Sequence, residues 1–124
     1  MTATRLLVLC AGLMGAAGVG LAAMASHAYA GTSLQVAASM LSLQAPAVLA
    51  IALGRKTGLL HDAIARIAAW ALVVGTVLFA GDLAMRTFTG HALFPMAAPV
   101  GGMAMIGAWL GAALAGALGG RQSG

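Results

Sequence analysis

From Leu6 to Ala25 the chain reads "LLVLCAGLMGAAGVGLAAMA", 20 residues without a single charge. Three further apolar stretches follow, so the segments run at about 6–26, 36–54, 64–86 and 98–118. Each is close to the roughly 20 residues that cross a roughly 30 Å hydrocarbon core at about 1.5 Å per residue. Membrane-spanning strands need only about half that length and an alternating pattern, which these segments lack. Lipid leaves backbone polar groups no partner but each other, so helices are the remaining solution. The expectation is an all-α, integral membrane four-helix bundle, with 1–124 forming a single four-helix transmembrane domain.

Composition agrees with that reading. Apolar residues make up 62% of the 124 residues and charged residues only 6%, far from the balance of soluble domains. Eight charged side chains cannot cover the surface of a soluble protein of this size, so the apolar excess must face lipid. The net charge of +4 is spread over six separated basic residues, a pattern that argues against nucleic acid and for orientation in a bilayer. Arg5, Arg55, Lys56, Arg66 and Arg121 fall on one side of the expected topology, and Arg86 alone on the other. By the positive-inside rule both termini are expected to be cytoplasmic, in a bacterial inner (plasma) membrane. The single cysteine, Cys10, excludes an internal disulfide and any multi-cysteine metal site. Bulky Leu9 before it does not suit lipoprotein processing.

The joints carry the turn chemistry. "HAYAGTS" separates the first two segments, "RKTGLLHDAIAR" the second and third, and "TFTGHALFPMA" the last two. Thr57 is placed to cap a helix start, and Asp62 and Arg66 have the i,i+4 spacing of a surface ion pair. Pro95 and Pro99 frame the start of the last helix. Ala28-Tyr29-Ala30 has the small-x-small form of a signal-peptidase site. The apolar run before it exceeds the roughly 7–15 residues of a signal-peptide core, so the first helix is expected to be retained uncleaved.

Small residues recur every four positions at Gly12, Ala16 and Gly20, and again at Gly107, Gly111 and Ala115. Such stripes let helix backbones approach closely in lipid. Packing inside the same bundle is expected, with homodimerisation as the alternative. His27 continues the first stripe at helical spacing, which places it toward packed neighbours.

The stretches "GTVLFAGDLAM" (75–85) and "APVGGMAMIGAWLGAALAGAL" (98–118) resemble the YgdD-like family of small bacterial inner-membrane proteins, whose animal relatives are small mitochondrial membrane proteins. The family is a domain of unknown function. Its pattern runs roughly G-A-F-G-A-H, Y-Q-x-x-H, G-x-x-L-F-S-G-S-L-Y, and P-x-G-G before G-W. The counterparts are "AAMASH" ending at His27, "LQAPA" at 43–47, "GTVLFAGDLA", "PVGG" and "GAW" at 107–109. The resemblance spans nearly the whole chain and implies the fold and the membrane address, but no reaction. It also marks departures: the family's second histidine falls on Ala47, after Pro46, its serine on Asp82 and its tyrosine on Ala84.

Asp82 stands out chemically, because an ionisable group within a spanning segment is costly and implies a partner. Arg86, one turn on, offers a local pair. The sharper alternative is an outer-side polar cluster of His27, Gln44 and Asp82, in which carboxylate and imidazole form a proton-sensitive link. Gln44 needs a partner inside the bundle, and Pro46 is expected to kink the helix that carries it. Met24, His27, Met40, Met85, His91 and Met96 lie toward one side, a set that suits copper(I). Methionine is also an ordinary filler of apolar helical cores, and His61 has no constellation around it.

No phosphate-binding glycine loop with lysine, no nucleophile triad and no carboxylate pair is present. The expected role is therefore a small inner-membrane protein without catalytic activity or cofactor. It would be a structural or accessory subunit packing against a larger membrane-protein complex or against itself, with the lipid bilayer as its surroundings. The alternative is a small transporter or proton-coupled channel using His27, Gln44 and Asp82. A weaker one is a copper or haem carrier.

Overall fold

A computed structural model describes residues 2–119; Arg121, counted above with the basic side, lies outside them. Four helices fill this span: α1 (Ala3–His27), α2 (Leu34–Lys56), α3 (Asp62–Thr89) and α4 (Ala97–Leu118). Their bounds fall within three residues of those expected from the apolar runs. All four are long and apolar enough to cross a membrane, and large side chains such as Leu13, Ile67, Met103 and Leu110 project outward. The chain is a small multi-pass membrane protein of all-α fold.

The helices run up, down, up, down. Thr2 caps α1 by accepting from the Arg5 N–H at 3.2 Å. At the same end, the Arg55 guanidinium donates from Nη1 to Thr4 Oγ1 at 2.9 Å, joining α2 to α1. The His61 N–H donates to the Ala115 carbonyl at 2.9 Å, joining the start of α3 to the end of α4. At the opposite end Tyr29 meets Phe88 edge to face, with ring centroids 5.2 Å apart. Among the described residues, Arg5, Arg55, Lys56 and Arg66 therefore share one end and Arg86 sits at the other.

α2 and α3 form the central pair; α1 packs mainly on α2, and α4 on α3. The core between them is rich in alanine, with Leu7, Leu34, Val48 and Leu72 as its fully buried large side chains. Small side chains bring the backbones together, which in lipid replaces hydrophobic exclusion as the source of packing energy. The tightest approach is between α3 and α4. A Cβ on Gly75 would lie 2.8 Å from the Gly101 carbonyl oxygen, and one on Gly101 would lie 2.6 Å from that of Gly75. α1 and α2 meet at Gly18, where a Cβ would lie 2.6 Å from Ser42 Oγ.

Two local expectations are corrected. Thr57 does not cap α3: it closes α2, with its hydroxyl donating to the Gly54 carbonyl. His61 caps α3 instead, its Nδ1 accepting from the Ile64 N–H. Asp62 turns to Arg55 across the loop rather than to Arg66 on its own helix, because the tertiary neighbour is already held in place. α2 runs through Pro46 as one continuous helix.

Candidate functional site

Asp82 lies on α3 seven residues before the helix ends, about 10 Å or two turns inside it at 1.5 Å per residue. Its side chain is wholly buried, and both oxygens are occupied. Oδ2 accepts from Arg86 Nε at 2.9 Å, the i,i+4 partner. Oδ1 accepts from the backbone N–H of Leu93 at 2.8 Å. That second bond shapes the chain. α3 ends in Gly90, whose left-handed φ of 78° lets the backbone reverse while its N–H donates to the Arg86 carbonyl. The segment after it descends beside the last two turns of α3 until Leu93 meets Asp82. α4 then starts below the tip of α3, from Met96, itself left-handed at φ 71°. Asp82 thus anchors a loop, and Arg86, half exposed, carries the charge outward to the interface.

Gln44 is buried on α2, and its Oε1 accepts from Trp109 Nε1 on α4 at 3.0 Å. The bond crosses from the second helix to the fourth and braces α4 over the central pair. Trp109 keeps about half of its surface outward, so the indole faces lipid with its ring and the bundle with its nitrogen, as an amphipathic aromatic does. Thr76, also buried, donates to the Leu72 carbonyl of its own helix at 2.6 Å. Among the described residues the three buried polar side chains, Gln44, Thr76 and Asp82, therefore all bond within the fold.

His27 is exposed at the last residue of α1, and Asp82 bonds Arg86 and Leu93 rather than an imidazole. The structure brings Asp82 and Arg86 together and leaves His27 and Gln44 apart from them. The reason is rotational. α1 turns Leu7, Ala11, Met14, Gly18 and Ala25 inward, so Gly12, Ala16, Gly20 and His27 point away from the bundle. A Cβ on Gly12 or on Gly20 would meet nothing within 4 Å. The packing expected of this stripe inside the bundle is therefore corrected: it is an outer face. α4 is divided. Ala115 is buried and Gly111 lies against Ala68, whereas Gly107 opens outward with nothing near it. Among the described residues no three His, Cys, Asp or Glu side chains gather in a group able to hold a metal.

Gly75, Gly101, Leu93 and Trp109 were not singled out by spacing, although the first two and the last lie in the stretches that carry the family resemblance. A family model described as "Protein of unknown function (DUF423)" matches residues 11–102, most of the chain and in keeping with that resemblance. The matched span takes in Gln44, Gly75, Asp82 and Gly101, and stops short of Trp109. No curated protein and no solved structure matches the chain.

Proposed function

The chain belongs to the DUF423 family of proteins of unknown function, and from that premise we propose that it is a non-catalytic inner-membrane protein. It acts by lateral packing, as an accessory element against other membrane subunits or against a second copy. Both termini face the cytoplasm in this reading, which the basic residues gathered at one end support. The observation that carries the proposal is the outer face of α1. Gly12, Ala16 and Gly20 stand there exposed at four-residue spacing, with open space before both glycines, the geometry that admits a partner helix at close range.

The polar groups weigh in the same direction. A proton or ion path needs side chains that exchange partners along the bundle, whereas Asp82 holds a loop and Gln44 holds an indole. The Asp82 bonds stay on α3 and the loop after it, and the Gln44 bond crosses from α2 to α4, so the two share no partner. Purification in mild detergent, with mass measurement of the intact particle, tests the reading. The expected product is a dimer or a complex with another membrane protein, and Gly12→Leu with Gly20→Leu is expected to release the monomer while leaving helicity unchanged. A wild-type protein that emerges alone as a monomer would overturn the proposal.

A further inference from the structure

The basic end of the bundle holds a cavity of about 490 Å³ where α1, α2 and α4 end around the α2–α3 loop. Its polar wall is Thr4, Arg55, Lys56, His61 and Asp62. Arg55 is the unusual member. Its side chain is only 14% exposed, yet it spends one hydrogen bond on Thr4. Its Nε lies 2.9 Å from Asp62 Oδ1 at an angle too poor for a hydrogen bond, which leaves that buried N–H without an acceptor. A buried guanidinium presents five donors in a planar fork, and leaving them unmet is costly. Asp62, although 69% exposed, pairs its carboxylate with Arg55 and so answers part of that charge. His61 uses Nδ1 to cap α3, and that leaves Nε2 to carry the ring proton. Lys56, exposed at the end of α2, adds a second full positive charge.

The donors that Thr4 and Asp62 leave open on Arg55, with those of Lys56 and His61, call for an acceptor-rich anion. Phosphate fits best, because its oxygens match the guanidinium fork and accept from ammonium and imidazole at once. The remaining wall, Gly58, Leu60, Leu118 and Gly119, carries no charge, and Leu118 is 54% exposed and faces outward from the bundle. A free ion has no use for that side, whereas a phospholipid has glycerol and acyl carbons to place there. The cavity also sits at the level where the helices leave the hydrocarbon, the depth of lipid headgroups, and basic pockets between spanning helices take anionic headgroups. We propose that this cavity binds the phosphate of an anionic phospholipid, with Arg55 as the central donor and Lys56 and His61 completing the rim. A zwitterionic choline headgroup brings its own cation against Lys56 and is disfavoured. The inference does not depend on which partner meets α1.

Native mass spectrometry of the full chain in mild detergent tests it, with dioleoylphosphatidylglycerol, dioleoylphosphatidylcholine and inorganic phosphate as separate probes. The glycerol lipid is expected to bind about tenfold tighter than the choline lipid, as a charge-assisted contact implies. Arg55→Gln is expected to remove that preference. Because Arg55 also ties α2 to α1, Lys56→Gln at the exposed rim serves as the second variant: a roughly threefold loss at unchanged melting temperature is expected. Arg86→Gln, at the opposite end, should leave binding as it was. Equal affinity for the two lipids, or no loss in both Arg55→Gln and Lys56→Gln, overturns the proposal. Protection by inorganic phosphate without retention of the glycerol lipid overturns the lipid as the source.

Discussion

The two outer helices carry the same kind of small-residue pattern and put it to opposite uses. On α4, Gly101 is pressed into α3 so closely that its carbonyl oxygen lies 2.8 Å from where a Cβ of Gly75 would stand. On α1, Gly12 and Gly20 face empty space, and the helix packs on α2 through Gly18 and its larger inward neighbours. α4 is further tied by the Trp109 to Gln44 bond and by the loop that Asp82 holds, whereas the side-chain ties of α1 and the turn after it, among the described residues, lie at its ends, Thr4 with Arg55 and Tyr29 with Phe88. Of the two outer helices α4 is thus the more firmly tied through its glycines and side chains, although Gly107 opens outward, and α1 presents the longer open stripe to a neighbour. A glycine stripe in lipid marks where two backbones can meet, but whether they belong to one chain is a tertiary matter.

Substitutions sharpen this contrast in descending order. Gly75→Leu forces a side chain into the backbone of α4 and is expected to destabilise the protein by about 3 kcal/mol or more, read as the midpoint of unfolding in a detergent titration. A shift indistinguishable from wild type would mean that α3 and α4 do not meet there. Asp82→Ala comes next. It releases the Leu93 N–H and the Arg86 side chain together, so proteolysis within residues 90–96 should accelerate well before the helices unfold. An unchanged cleavage rate would remove Asp82 as the anchor of that loop. Trp109→Phe is smaller: losing one interhelical hydrogen bond in a membrane protein costs about 0.6–2 kcal/mol, and Gln44→Leu in the same background should recover part of it, since no unpaired amide then remains buried. Smallest is Gly12→Leu, expected to shift the unfolding midpoint of the isolated chain by no more than about 0.5 kcal/mol. A loss as large as that of Gly75→Leu would place the stripe inside the fold after all.

Much of the fold was readable because lipid imposes a length rule. Apolar runs of the right span foretold four helices, and the structure extends each by at most three residues at either end. The Asp82 and Arg86 contact was readable too, since i,i+4 neighbours on a helix meet whatever the rest of the chain does. The candidate cluster was not. His27 was placed inward by extending a stripe of small residues, but α1 is apolar on every side, so no polar face reveals which way it turns. Asp62 illustrates the same limit at a helix end. Its partner on the same helix, Arg66, lay at ideal spacing, yet Arg55 reaches it first across the loop.

The sequence by itself determined the number of helices, their lengths, the end of the bundle at which basic residues collect and the local pair on α3. Each of these follows from short-range rules: hydrocarbon thickness, rise per residue and helical neighbours. Tertiary structure alone decided that Gly75 meets Gly101, that Gln44 is answered by Trp109 65 positions away, that Leu93 folds back onto Asp82, and that Gly12 and His27 face outward. These choices depend on how each helix is rotated about its axis. In a uniformly apolar helix that rotation is set by the shapes of its neighbours and not by its own composition.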